Sequence, residues 1–170
     1  MILRRPSARD ADEFVARVRA SRSLHRPWSD PPDTAGAYDA FLRRSRIHTN
    51  DISIVCRRQD AAIVGVFALS QIVHGSFRSC YLGYYAFVPF AGRGFMHDGI
   101  RLVLRRSFGE LGLHRVQANI QPANVASITL VRGAGFHREG YAPRYLKIGG
   151  RWRDHENWAL LAEEPCRPTG

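Results

Sequence analysis

"FVPFAGRGFMHDGI", residues 87–100, runs from an apolar segment through Pro89 and Gly92-Arg93-Gly94 into apolar residues at helical spacing. The segment before it, "CYLGYYAFV", reads as a strand. Residues 95–111 after it place Ile100, Val103, Leu104 and Phe108 on one helical face. The stretch is therefore a strand that turns on glycines into a helix. Gly92 and Gly94 admit backbone conformations that a Cβ resists and let a ligand come close to the main chain. The first amides of the helix lack intrahelical acceptors, the helix dipole adds partial positive charge, and Arg93 adds a full one. Such a turn can seat a phosphate or pyrophosphate. It also fits a plain tight connection, for it has neither the GK[ST] ending of a Walker loop nor a GxGxxG pattern.

Working outward, the chain opens with a short strand over residues 2–5, followed by a capping-box pair, Ser7 and Asp10, that starts a helix through Ala20. "HRPWSDPPDTAG" is a loop, and a second helix carries Tyr38, Phe41 and Leu42 on one face. "ISIVCRR" and "AAIVGVFALSQIV" form a hairpin turning at Gln59-Asp60. Gly83, inside the next strand, marks either a bulge or a tolerated glycine. "HRVQANIQ" is a strand, 125–132 a short helix, and 136–162 a long hairpin turning at Gly149-Gly150. No repeat or linker divides the chain, so residues 1–170 are expected to form one α/β (α+β) domain. Its central mixed sheet should hold six to seven mostly antiparallel strands, flanked by about four helices.

Composition narrows the function classes. The content of 45% hydrophobic and 24% charged residues is that of an ordinary globular domain. No apolar run is long enough to cross a bilayer, and "MILRRPSARD" lacks the features of a signal peptide. Cys56, Cys80 and Cys166 are widely separated and odd in number, which points to reduced thiols in the cytoplasm, two of them inside strands. The histidines are scattered without ligand spacing, so no metal site is expected. The net charge of +10 comes almost wholly from arginine, since Lys147 is the only lysine. Such a skew fits either codon composition or a polyanion-facing surface. No RNP-like strand, GXXG loop or finger spacing accompanies it, so sequence-specific nucleic-acid binding is not expected.

The order strand, glycine turn, amphipathic helix, strand, Asn-containing turn, short helix and "GAGF" resembles the GNAT superfamily of acyl-CoA-dependent N-acetyltransferases. Its Q/R-x-x-G-x-G/A loop matches Ala91 to Met96, with Gly94 kept, Ala91 in place of the polar residue and Met96 in place of the small one. Within the superfamily the chain is similar to the RimJ/RimL type, the N-terminal acetyltransferases of ribosomal proteins. "IVHGSFRSCYLGY", "LHRVQANIQPANVAS", "GAGFHREGYAPRYLKIGGRWRDH" and "RPW" at residues 26–28 carry that likeness in the same order. The resemblance implies acetyl-CoA as co-substrate. Its pantetheine would lie along the strand end at Phe87 and Val88. Its pyrophosphate would sit on the N–H groups of Arg93, Gly94, Phe95 and Met96 in the cofactor-binding loop that Ala91 and Gly92 begin, with Asn124 fixing the cofactor arm.

For catalysis, the resemblance gives Ser127 the role of acid toward the leaving thiolate, with Asn124 beside it. Both residues also suit a helix start, as N-cap and first-turn side chain. The tyrosine common in GNAT enzymes is Val131 here, and the carboxylate that RimJ/RimL proteins tend to carry before "YL" is Arg144. An obvious base is thus missing. An α-amine with pKa about 8 is roughly one-tenth neutral at pH 7, and a lysine is about 250-fold less so. A site without a strong base therefore suits a protein or peptide N-terminus, such as that of a ribosomal protein. Glu139, Asp154, His155 and Glu156 are proton-relay candidates that equally read as structural, and Trp28 either lines the acceptor pocket or covers the core. Two other readings stay open. One is acetylation of a small amine such as an antibiotic or polyamine; the other is a weakly catalytic acyl-CoA-binding or RNA-associated module. The protein is expected to be a monomer or homodimer.

Overall fold

The computed structural model describes residues 1–163, so Cys166 lies outside the described residues. Seven strands form one sheet in the order β1-β2-β3-β4-β5-β7-β6. They are β1 (Ile2–Arg4), β2 (Asp51–Cys56), β3 (Ile63–Val73), β4 (Ser79–Ala86), β5 (Arg115–Ile120), β6 (His137–Ile148) and β7 (Arg151–Leu161). Every neighbouring pair is antiparallel except β4 and β5, which run parallel. The helices are α1 (Ala11–Ala20), α2 (Arg22–His25), α3 (Ala35–Ser45), α4 (Phe95–Arg105) and α5 (Val125–Gly133). The mixed sheet is the one the sequence predicts. The fifth helix, α2, was not expected: the Ser21 carbonyl accepts from Leu24 and His25, and one further turn forms before Pro27 draws Arg26 into extended geometry.

Each face of the sheet buries one layer of helices. On one face, Phe14 and Val18 of α1 and Tyr38 and Phe41 of α3 pack with Ile54, Val66 and Phe87. On the other, Ile100, Val103 and Leu104 of α4 and Val131 of α5 pack with Val55, Phe67 and Leu69. Strand alternation would put Ile63 and Val66 on opposite faces. A register shift, in which Val55 pairs with Gly65 and Cys56 with Ile63, restores both to the α1/α3 side. Gly83 is no bulge: it pairs in register with Ala68, and the irregularity of that ladder falls between Ser70 and Val73.

Helix starts and turns follow local chemistry. Asp10 accepts from the Ser7 amide at 2.8 Å and from the Ser7 hydroxyl at 3.0 Å, completing the capping box, and it also takes both Arg4 nitrogens. The Gly149-Gly150 turn has positive φ at both residues, 56° and 77°, as a two-residue hairpin loop requires. The long helix expected over 95–111 divides instead. Its α-helical part stops at Arg105, and Arg106–Glu110 widens into a π turn in which the Leu111 amide reaches the Arg106 carbonyl.

Two glycines let α4 sit on the sheet. A Cβ at Gly99 would stand 2.8 Å from Phe67 Cε2 and 3.2 Å from Val55 Cγ2; one at Gly65 would stand 2.6 Å from Met96 Sδ and from the Tyr85 carbonyl. Gly99→Val is therefore expected to lower unfolding free energy by about 1–3 kcal/mol through overpacking. Gly36→Ala, where nothing lies within 4 Å of the added carbon, should leave stability equal or higher. Urea unfolding of the two variants against the wild type checks the pair.

Candidate active site

Parallel β4 and β5 pair only at Ser79, Cys80 and Tyr81 with Arg115, Val116 and Gln117. Beyond that point each strand follows its other neighbour: β4 stays with β3 through Ala86, and β5 stays with β7 through Ile120. The sheet thus opens on the C-terminal side of both strands, where helix N-termini also gather. A cleft of about 410 Å³ occupies this place. That volume is within the range of small-ligand sites.

The glycine turn forms one end of the cleft. Ala91, Gly92, Gly94 and Met96 line it. Gly92 and Gly94 have φ of 73° and 80°, the left-handed conformation that favours glycine, and Gly94 is the N-cap of α4. No side chain caps this helix. Helix geometry leaves the Phe95 and Met96 amides without intrahelical acceptors. Phe90, also in the wall, has the guanidinium groups of Arg17 and Arg57 over its ring, 4.9 and 5.0 Å from the centroid. Met96, bulky where the resembled loop is small, has its thioether lodged against Gly65. The Arg93 side chain turns to the Phe95 ring, 5.7 Å away.

Phe87 and Val88, expected beside the pantetheine, are not among the residues that line the cleft. The Phe87 amide donates to the Val64 carbonyl at 2.8 Å, its carbonyl accepts from Phe90 and Ala91, and its ring is wholly buried beside Phe14. The Val88 amide donates to Ser21 Oγ at 3.0 Å. With these groups engaged inside the protein, the strand wall is made instead by Tyr84, Tyr85 and Ala86.

Asn124 and Ser127 come together at the start of α5, and both line the cleft. Asn124 Oδ1 accepts from the Ser127 amide at 3.2 Å, so it is the N-cap of α5 as well. Ser127 Oγ donates to the Tyr84 hydroxyl oxygen at 2.7 Å, and Tyr84 donates to the Ser127 carbonyl at 3.1 Å. Burial holds the Tyr84 phenol well above its ordinary pKa, opposed by the Ser127 bond, so it stays protonated at neutral pH. Val131 is fully buried in the core. A phenol is nonetheless present, delivered by β4 rather than α5. The alternation that sends Tyr84 toward α5 and Tyr85 toward α1 was legible in "GYYAF", but sequence alone did not show which hydroxyl it would meet.

The four relay candidates are held elsewhere by structural contacts. Glu139 pairs with Arg115 across strands, Asp154 accepts from the Arg144 amide at 2.7 Å and from Tyr141, and Glu156 accepts from Trp158 Nε1 and Arg138. His155 is buried, with Nδ1 3.0 Å from the Arg153 carbonyl. None of them lines the cleft. Trp28 does, together with Leu24 and His25 from the α2 region. The Cys80 thiol, pushed up to about 12 by burial, is no nucleophile.

The Tyr84–Ser127 pair can be tested apart from any activity. Tyr84→Phe and Ser127→Ala should each cost about 1 kcal/mol, and the double variant should cost less than their sum, with a coupling of about 0.5–1.5 kcal/mol. Chemical denaturation of the four proteins measures it; strict additivity would show that the bond contributes nothing.

The geometry has relatives. A family model described as an acetyltransferase (GNAT) domain matches residues 1–137. The [ribosomal protein uS5]-alanine N-acetyltransferase of Escherichia coli is 31% identical over 96% of this chain and 89% of its own length. A probable N-acetyltransferase of Bacillus subtilis, YjcK, is 38% identical over 60% of this chain and 56% of its own length. Among solved structures, Mycobacterium smegmatis RimJ in complex with CoA-disulfide superposes with a TM-score of 0.86 at 26% identity, covering 95% of this chain and 81% of that one. A spermidine N-acetyltransferase of Vibrio cholerae shares the fold with a TM-score of 0.82 at 20% identity, covering 96% of each chain. With a seven-stranded sheet that parts between β4 and β5 over an uncapped helix N-terminus, the chain belongs to the GNAT acetyltransferase family and is an acetyl-CoA-dependent N-acetyltransferase.

Proposed function

We propose that this enzyme acetylates the N-terminal α-amine of a protein, of the kind a ribosomal protein presents, by direct attack on acetyl-CoA in a ternary complex in the cytoplasm. One observation carries the choice of acceptor. Among the described residues that line the cleft there is no Asp or Glu; the wall is apolar, aromatic and hydroxylic, with two histidines. A polyamine or an ammonium-rich antibiotic brings several positive charges that such a wall leaves uncompensated, in a chain of net charge +10. An α-amine brings one charge and sheds it near pH 8. Similarity to the uS5-alanine acetyltransferase over 96% of the chain supports the same reading.

The residues divide the work as follows. The amides of Gly94, Phe95 and Met96 receive the pyrophosphate, where the dipole of α4 favours an anion. Gly92 and Ala91 let it come close, and Arg93 adds charge at the rim. Asn124 and the edge of β4 at Tyr84–Ala86 hold the pantetheine arm against the opened seam. The arm carries the thioester toward Trp28, so that the amine meets it in place. Positioning of this kind accounts for much of the acceleration. The Ser127 and Tyr84 hydroxyls stand together as the proton source for the departing thiolate, an arrangement that needs a protonated phenol. Among the described residues of the wall, none offers a thiolate for a covalent intermediate.

A peptide with a free small N-terminal residue and an internal lysine, incubated with acetyl-CoA, should carry acetyl on its α-amine by tandem mass spectrometry. Turnover should rise with pH through the amine's own titration near 8. Acetyl found mainly on lysine, or faster turnover of spermidine than of any peptide, would overturn the acceptor assignment. Ser127→Ala and Tyr84→Phe should each lower kcat about 10- to 100-fold with CoA affinity within about twofold of wild type. Unchanged kcat in both would remove them from the chemistry.

A further inference from the structure

The general base absent from the expected acidic positions is supplied, we infer, by His25, whose Nδ1 takes the proton of the attacking amine. This rests on the reading of the cleft as the acetyl-transfer site. The assignment begins with a tautomer. His25 Nε2 lies 2.7 Å from the Ala86 carbonyl, which can only accept, so Nε2 carries the hydrogen. In the neutral ring Nδ1 is then a bare lone pair. It is buried and has no hydrogen-bond partner among the described residues. The residue is 4% exposed and lines the cleft beside Leu24 and Trp28.

A buried acceptor left unpaired costs about 1–3 kcal/mol, and a donor arriving with the substrate recovers that cost. Catalytic hydrogen bonds commonly tighten only once the substrate is bound. The location suits an amine proton: His25 anchors on Ala86, the last residue of β4, at the strand edge where the thioester is expected. His97, the other histidine of the wall, stands in the first turn of α4 at the anion end, near Gly133. Among the described residues of the wall, no carboxylate competes.

The surroundings keep His25 neutral and ready. Burial lowers its pKa below the ordinary histidine value, and the bond to Ala86 opposes this in part. The rings packed on it are Tyr85, with centroids 5.4 Å apart, and Phe87, at 5.9 Å. Tyr85 is itself held neutral by burial, and on the histidine's own segment Arg22 is paired with Asp33. In the reaction the amine nitrogen bonds to the thioester carbon as its proton passes to His25 Nδ1. The C–S bond then breaks, and the thiolate takes a proton from the Ser127–Tyr84 hydroxyls. His25 releases its proton to water, and the hydroxyl pair recovers one.

The test is His25→Gln, which keeps a side-chain N–H for the Ala86 carbonyl but cannot take a proton, measured on whichever acceptor the wild type turns over fastest. For an α-amine, the wild-type plot of log kcat/KM against pH should rise with a slope of about two below the His25 pKa and about one between that and the amine's pKa near 8. The variant should lose about 100-fold in rate, keep its melting temperature and CoA affinity, and show only the single slope of the amine. An aminooxyacetyl peptide, whose nitrogen is far less basic than an α-amine, separates the two groups: its profile should lose the histidine's acid limb in the variant and keep only the limb of the aminooxy nitrogen, which both proteins share. A variant with wild-type rate, or one slowed with its profile unchanged, overturns the proposal and leaves His25 a support for Ala86. Should the variant fail to fold, nitrogen NMR of wild-type His25 decides. The Nδ1 resonance must move when an acceptor peptide binds beside CoA, and a static resonance overturns the assignment. Where the acetyl group lands on the peptide tests the acceptor reading separately.

Discussion

Two parallel strands that stay paired for only three residues set up everything else. Beyond Tyr81 and Gln117, β4 stays bonded to β3 and β5 to β7, while the two no longer pair with each other. The opening exposes strand-edge main chain in the middle of a sheet, where unpaired groups are costly. The protein fills part of it with its own side chains. His25 takes the Ala86 carbonyl, and Tyr84 reaches across to the Ser127 carbonyl on α5. What these leave open is a slot whose end is the uncapped start of α4.

That end depends on close packing as much as on glycine conformation. α4 presses onto β2 and β3 through Gly99, and its first turn is fixed by Met96 sliding over Gly65. The helix N-terminus is therefore rigidly aimed before any ligand arrives. A preformed anion seat costs less on binding than one that must be ordered. The departure of Met96 from the family loop is then a packing solution: its thioether lies against Gly65.

Much of this was legible in the sequence because local signals agreed with the tertiary outcome. The glycine turn, the capping box at Ser7 and Asp10, the face of α4 and the Gly149-Gly150 turn each rest on short-range chemistry. The misreadings fall where distant contacts decide. Phe87 and Val88 looked like the cofactor's strand edge, but Val64 and Ser21, far away in sequence, had already taken their amides. Tyr84 was overlooked because its partner Ser127 lies 43 residues on and meets it only once the seam forms. Val131, noted as a missing tyrosine, proved to be core, with the phenol arriving from another element. His25 sat in what read as a loop, and only the bond to Ala86 set it in the wall.

The central claim is that acetyl-CoA lies in the seam between β4 and β5 with its pyrophosphate on the first turn of α4. Hydrogen–deuterium exchange with and without CoA tests it most directly, because it reads backbone amides one segment at a time. The account predicts protection concentrated in peptides spanning 82–87 and 92–97, with a smaller effect at 124–128 and none at the 144–153 hairpin tip. CoA binding that leaves the 92–97 amides exchanging as in the free protein would contradict it.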